Sequence, residues 1–207
     1  MNKFSILILS ALYTLTIPAF AGGMVGVKYG VGDLEGNAKA YGQYNAQSAS
    51  KDSDFGAIFA EVNIMESPIS VGIEYVPLDA DISLDGHQAN VSANVSDYTT
   101  LYALAMRDLT KFSVYAKLGY SQADIGKVKV NDTGTTFVSQ SGDLKGMMYG
   151  VGIQSQELPY GLVARAEYTL TEFDDVSVTT TSNGSATTKK TADGELTTLT
   201  FSLAKSF

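Results

Sequence analysis

The chain has 207 residues, with 22 acidic and 14 basic side chains, a formal net charge of −8, one His and no Cys. This length suits one domain or two small ones, and the negative charge argues against a nucleic-acid-binding protein. The lack of Cys excludes disulfides, thiolate metal sites and a cysteine nucleophile, and a single His excludes any site that needs two imidazoles. We expect neither a bound cofactor nor a metal site.

The first 21 residues have the organisation of a secretory signal peptide. Lys3 supplies the positive start, an apolar stretch follows, and Pro18 precedes the small-x-small sequence that ends at Ala21. A membrane-anchoring helix is the alternative, but Pro18 and the cleavage-site pattern interrupt the place where that helix would continue. We expect this segment to be removed on export and residues 22–207 to form the mature domain. The absence of Cys fits a bacterial envelope protein.

After residue 21 the apolar side chains recur with a period of two, which predicts β-strands rather than helices. Eight runs of about ten residues show this alternation. They are residues 24–34, 55–64, 69–76, 98–107, 111–120, 145–154, 161–171 and 196–207. In the second run the favoured register turns Ile58 to the apolar face and Glu61 to the opposite face. The other register would bury Phe55 and Phe59 but would turn Glu61 the wrong way. In the fourth run, Tyr98, Tyr102 and Leu104 fall on the apolar face and Arg107 on the polar face.

The connections between these runs alternate in length. Three are short and turn-like, at residues 64–68, 107–111 and 155–160. The others are polar and near twenty residues each, at residues 34–54, 77–97, 121–144 and 172–195. Strict alternation of short and long connections is typical of an up-and-down barrel with all tight turns at one end.

The second face of the runs decides between a soluble and a membrane barrel. It combines many Gly, Ala, Ser and Thr with a set of charged residues, Lys28, Glu61, Glu74, Arg107, Lys117, Arg165 and Glu167. Small residues suit a narrow interior, while the apolar face ends in Tyr and Phe, as the interfacial girdles of membrane barrels do. We therefore predict an all-β, eight-stranded antiparallel up-and-down transmembrane β-barrel. A lipocalin-like barrel is the alternative.

Several stretches carry a resemblance to a known family. The segments Tyr149-Gly-Val-Gly-Ile153, Leu158-Pro-Tyr-Gly-Leu162 and Arg165-Ala-Glu-Tyr168 are similar to a strand–turn–strand of the small outer-membrane β-barrels, and the chain ends in the aromatic Phe207. This family includes the OmpA transmembrane domain, the OmpX-type proteins and the opacity-type, porin-family adhesins. The resemblance covers the whole mature chain. It implies the outer membrane of a Gram-negative bacterium, contact with its lipids, and an assembly machinery that reads Phe207.

Five of the seven inward charges lie about midway along their strands, namely Lys28, Glu74, Lys117, Arg165 and Glu167. With Arg107 and Glu61 included, bases and acids nearly balance, and the charges are expected to pair, because unpaired charges in a narrow interior are costly. Paired, they form a static plug that closes the lumen. The resemblance leaves open a second interpretation, in which such pairs exchange partners and let ions pass.

Two of the long connections contain signals for hairpins that extend beyond the membrane. Asn183-Gly184 lies between two polar strand-like runs, and Asn131 to Gly134 lies in a similar position. The resemblance to OmpX-type proteins implies that the edges of such hairpins bind partners by strand addition. Loop acids such as Asp79 and Asp174 show no spacing that supports a defined cation site.

These observations predict a structural or surface-interaction protein of adhesin-like type that binds an extracellular protein or surface ligand through its long loops. The alternative is a small-solute or ion channel of the same fold. We do not expect an enzyme, because the only His, His87, reads as a turn residue beside Asp85-Gly86.

Overall fold

The computed structural model describes residues 20–38, 47–65, 67–85, 89–126, 129–132, 135–138, 142–181 and 187–207. Nearly all of these residues are in β-strands, numbered here in chain order. The strands are β1 Phe20–Ala38, β2 Gln47–Ile64, β3 Ile69–Asp85, β4 Ala89–Asp108, β5 Phe112–Ile125, β6 Lys129–Asp132, β7 Thr135–Val138, β8 Gly142–Ser155, β9 Leu162–Thr181 and β10 Thr187–Ser206. No helix within these ranges is long and apolar enough to cross a membrane.

Eight of the strands close into an antiparallel barrel. Neighbours in sequence pair throughout, β5 pairs with β8, and the pairing of β1 with β10 closes the ring. Tight connections follow β2, β4 and β8, and the last of them contains the 3-10 turn Pro159–Gly161. The prediction of a closed eight-stranded up-and-down barrel with three short turns at one end is confirmed.

The strands are longer than the predicted ten residues. β4, β9 and β10 have 20 residues each, and β1 has 19. Much of what the sequence marked as long polar connections is therefore strand, because the hairpins continue pairing beyond the apolar part of the wall. β6 and β7 form a further hairpin whose first strand pairs with the start of β4. A hairpin around Asn131 to Gly134 was predicted, and the structure contains one, with Asn131 itself in the first strand, β6.

Above the barrel the sheet separates into two groups of strands. β2 pairs with β3 only from Ile58 to Asn63, although both strands continue well beyond this point. One group contains the upper parts of β2, β1, β10 and β9, and the other contains those of β3 and β4 with the hairpin β6–β7. Interruptions of register between Val76 and Asp79 and between Ser96 and Thr99 mark the start of the second group.

The two faces of the wall have opposite composition. Apolar side chains stand outward, and large ones among them are exposed, including Val27, Ile58, Leu118, Val151 and Phe201. Charged and hydroxyl side chains point inward and are buried. Seven of the eight predicted runs turn the predicted face outward, including residues 55–64, where the favoured register is the one adopted.

The face assignment of β4 is wrong and has to be reversed. Leu101 is 64% exposed on the outer wall, whereas Tyr102 and Leu104 are buried inside at 4% and 2%. The interior leaves room for Tyr102 because a glycine faces it. A Cβ on Gly72 would lie 2.5 Å from the Tyr102 hydroxyl. The hydrophobicity pattern alone does not identify the outward face of β4, because the side chains that point inward are larger than the alanines that point outward.

The barrel closes at the chain end. Gly23 and Phe207 exchange backbone hydrogen bonds of 3.0 and 2.9 Å, and the Phe207 side chain is exposed. The regular pairing of β1 with β2 begins at Gly23, after an irregularity that follows Phe20. Residues 1–19 lie outside the described ranges, so the signal peptide remains a prediction.

Candidate functional site in the barrel lumen

Four charged side chains form a ring across the lumen, which is the inside of the barrel. The Lys28 ammonium lies 2.6 Å from Glu74 Oε2 and 2.7 Å from Glu167 Oε1. The Lys117 ammonium lies 3.0 Å from each of the same two oxygens. Each carboxylate therefore receives two ammonium groups, and each ammonium contacts two carboxylates. We call these four residues the charge ring.

A second ion pair lies next to the charge ring, one step toward the short turns. Arg165 donates from both terminal nitrogens to Glu61, at 2.8 and 2.9 Å, and its Nε donates to Gln154 at 2.6 Å. The Tyr102 hydroxyl donates to Glu61 at 3.2 Å. The fork geometry of a guanidinium matches two carboxylate oxygens, which makes this the most directional contact in the lumen.

Aromatic rings join the two groups of charges. The Tyr115 hydroxyl donates to Glu167 at 3.0 Å, while its ring lies 5.2 Å from the Arg165 guanidinium carbon. The Lys117 ammonium lies 4.0 Å from the centre of the Tyr102 ring, within the range of a cation–π contact. Each tyrosine therefore contacts a cation with its ring and a carboxylate with its hydroxyl, so the charge ring and the second pair act as one network.

All six charged residues of the network are buried, with exposed fractions between 2% and 8%. Three are cations and three are carboxylates, so their formal charges cancel. Burial of a charge is tolerated only when it is paired and hydrogen-bonded. The network meets this condition, since every one of its charged groups has at least one partner of opposite charge within 3.0 Å.

A layer of hydroxyl groups covers the charge ring on the side away from the short turns. The hydroxyl oxygens of Thr100 and Ser121 lie 2.8 Å apart, and those of Thr169 and Thr198 lie 2.6 Å apart. The Tyr98 hydroxyl donates to Ser121 at 3.0 Å. These groups satisfy one another's hydrogen bonds and narrow the passage above the charges without adding charge.

The predicted lumen residues divide into six inside and one outside. Lys28, Glu61, Glu74, Lys117, Arg165 and Glu167 are buried in the barrel. Arg107 is not among them, so its inward placement is a mistake that requires correction. It follows the reversed face of β4 and stands exposed on the outer wall, beside the short turn after Asp108. At this height a guanidinium reaches water, which removes the cost of placing it on an apolar wall.

Four other lumen residues were not selected from the sequence. Tyr115 carried a usable signal, because alternation places it on the same face as Ser113 and Lys117. Gln154 also fell on the polar face. Tyr102 gave the opposite signal for the reason described for β4. Phe59, whose ring centre lies 5.9 Å from the Lys28 ammonium, fell on the same face as Glu61 in the favoured register but carries no charge that would mark it as a lumen residue.

Most of the predicted loop positions lie outside the described residues. This holds for Asn183, Gly184, Gly134 and His87. Asn131 lies in β6 and pairs with Asn90 and with Thr136. In the described part of the chain, no group of three or more His or carboxylate side chains is placed to hold a metal ion.

Two solved structures that are similar to this chain are small barrels. Ail, the attachment invasion locus protein of Yersinia pestis, is 14% identical, with 89% of this chain and 99% of that chain covered and a TM-score of 0.49. Neisserial surface protein A is 13% identical, with 86% and 95% covered and a TM-score of 0.46. None of the curated proteins matches the chain in sequence. Residues 7–205 match the outer membrane protein beta-barrel domain, and the chain therefore belongs to this family of outer-membrane barrels.

Proposed function

We propose that this barrel is a structural and surface-interaction protein of adhesin-like type, which binds external proteins through its extended strands. The observation that carries this proposal is the set of unpaired strand edges above the barrel. Between Gln47 and Ala57, β2 pairs only with β1 among the described strands. Within the described parts of the sheet, β7 pairs only with β6, and β9 beyond Phe173 pairs only with β10.

An unpaired edge presents a row of backbone donors and acceptors to any extended peptide. Proteins normally shorten or cover such edges, because they are templates for pairing with another chain. Here the strands extend about twice as far as a spanning strand of roughly 9–11 residues requires. Strand addition to these edges gives affinity from main-chain bonds, with selectivity from the neighbouring side chains.

The test measures the adhesion of cells to a surface coated with matrix protein. The cells display the wild-type barrel or one of two variants. In one variant a Gly-Ser linker replaces residues 127–141, and in the matched control an unrelated hairpin of equal length replaces them. Strand addition predicts that the linker variant loses adhesion and the substitute hairpin retains much of it. Adhesion equal to wild type in the linker variant would contradict a role for this edge.

We further propose that the lumen network is a plug, so that the barrel does not conduct. Eight strands enclose an interior that side chains just fill, and the network spans it with six paired charges. The alternative is a small-solute or ion channel. It would require the charge ring to exchange partners, and each of its carboxylates already contacts two ammonium groups.

Planar-bilayer recordings distinguish the plug from the channel. We expect no steady conductance from the wild type. The neutral double variant Lys117→Ala/Glu167→Ala shortens two lumen side chains, and we expect it to open a measurable current. Asp143→Ala/Lys145→Ala, which removes an ion pair at 3.7 Å with both side chains exposed, is the matched control. Steady current through the wild type would overturn the plug and support the channel.

The proposal includes export and assembly. A signal peptide that ends at Ala21 would leave the regular pairing from Gly23 intact, and the mass of protein from the outer-membrane fraction tests this cleavage. Phe207→Ala keeps the backbone bonds to Gly23 and removes only the ring. We expect it to lower the amount assembled in cells but not refolding into lipid vesicles. An equal loss in both would assign Phe207 to stability and not to recognition by the assembly machinery.

A further inference from the structure

The outer wall contains a shallow apolar groove of about 620 Å³ that crosses β4, β5, β8 and β9 and reaches β10. Small side chains on its floor include Ala105, Ala116 and Ala166, and larger ones such as Val151 and Tyr168 border it.

The register of the strands explains the groove. Ala105 lies opposite Ala116, Ala116 lies opposite Val151, and Ala166 lies opposite Ile153. Small residues are therefore adjacent across two strands and are followed by branched residues on the next. A depression in a wall that faces hydrocarbon is filled by a lipid chain, because an empty one would forfeit dispersion contacts. The shape alone does not select which lipid fills it.

A positive charge at one end of the groove would select a lipid by its headgroup. Arg107 lines the groove at the last outward position of β4, next to the short turn. In the part of the chain that the structure describes, its guanidinium has no ion-pair partner. The neighbouring Asp108 carboxylate accepts a hydrogen bond of 2.6 Å from Ser113. A guanidinium has five N–H donors in a planar fork that suits a phosphate.

We propose that the groove binds one phospholipid of the leaflet at the short-turn, periplasmic end of the barrel. One acyl chain lies on the alanine floor, and the lipid phosphate binds Arg107. Tyr168 and Leu199, which are 51% and 44% exposed, contact the chain away from the headgroup. This inference rests on the placement of the barrel in a membrane and is independent of any role of the extended strands.

Native mass spectrometry of the purified protein in detergent tests the proposal with two probes, phosphatidylglycerol and the diacylglycerol that has the same chains. We expect one phosphatidylglycerol to remain bound and the diacylglycerol to be lost. Arg107→Gln should weaken retention about tenfold, the size of one charge-assisted contact. Ala116→Phe, which fills the floor, should weaken retention of both lipids.

Two variants serve as matched controls. Ala60→Phe adds the same ring to the outer wall of β2, outside the groove, and Lys145→Gln removes a cation near the opposite membrane surface. Neither should change retention. Equal binding of the two lipids, or equal loss in Arg107→Gln and Lys145→Gln, would overturn the proposal. A dimer that Ala116→Phe abolishes would also overturn it, because a second copy of the chain would then occupy the groove.

Discussion

The ion pair of Arg165 and Glu61 offers the sharpest test of how the lumen stabilises the barrel. Glu61→Gln keeps the size of the side chain and removes its charge. The guanidinium of Arg165 then loses two charge-assisted contacts of 2.8 and 2.9 Å and retains Gln154 as its charge-neutral partner. The interior is left with three cations and two carboxylates.

The expected cost follows from burial. Glu61 is 2% exposed and Arg165 is 7% exposed, so water solvates neither charge to a significant extent. Removal of one partner of a buried pair costs about 3–5 kcal/mol, because the other charge stays buried without compensation. The amide that replaces Glu61 still accepts one hydrogen bond, so we expect a loss near 3 kcal/mol.

The free energy of unfolding is measured by urea titration of the barrel in lipid vesicles. The chain has no Trp, so the folded fraction is followed by electrophoretic mobility without boiling. The matched control is Asp143→Asn, which breaks an ion pair whose side chains are 42% and 50% exposed. An exposed pair contributes roughly 0–1 kcal/mol, so the control should be close to wild type.

The double variant Glu61→Gln/Arg165→Met decides whether the reasoning is correct. It removes both charges together, so no uncompensated charge remains, and we expect it to be more stable than Glu61→Gln alone. Two results would refute the argument. One is a loss below about 1 kcal/mol for Glu61→Gln. The other is a double variant that is no more stable than Glu61→Gln alone.

Three further predictions concern the same interior. Glu167→Gln should destabilise more than Glu74→Gln in the same titration, because Glu167 also accepts from Tyr115, and the reverse order would contradict the described contacts. Leu104→Ala should lower the free energy of unfolding by about 2–5 kcal/mol, because it opens a cavity inside the barrel. Leu101→Ala should lower it less, because lipid fills the space on the outer wall. Equal losses would argue against the reversed face of β4. Gly146→Ala should prevent efficient refolding, since its Cβ would meet the Glu172 carbonyl oxygen and lie 2.9 Å from Phe173 Cα, while Gly56→Ala, whose nearest atom is 3.9 Å away, should refold normally.

Periodicity was sufficient to predict the architecture. A wall that separates lipid from a narrow interior requires a period of two in every strand, and seven of the eight runs show it in the correct phase. The same periodicity placed Lys28, Glu74, Lys117 and Glu167 inside the barrel, because alternation puts each of these charges on the face opposite to the apolar one.

Pair identities were not available from the sequence. Lys28 and Glu167 are 139 residues apart, and their contact depends on the register of several strands at once. The error at Arg107 arose from the same limitation. Alternation alone does not reveal that β4 places its larger side chains inward, since the room for Tyr102 depends on Gly72 of the neighbouring strand.

The length of the strands is the feature that neither the membrane nor the lumen explains. On β1 the outward residues change from Val31 to Asp33, and on β9 they change from Leu170 to Glu172, which sets the upper limit of the apolar wall. Above this limit Glu195 of β10 lies between Glu35 and Glu172, and like charges opposite each other weaken a sheet. The network of three cations and three carboxylates is neutral, so the net charge of −8 lies outside it. A barrel that only spanned a membrane would require neither these extra residues nor this charge. The extensions therefore support the proposed surface-interaction role, and on that proposal the row of Glu35, Glu195 and Glu172 would favour partners with basic groups.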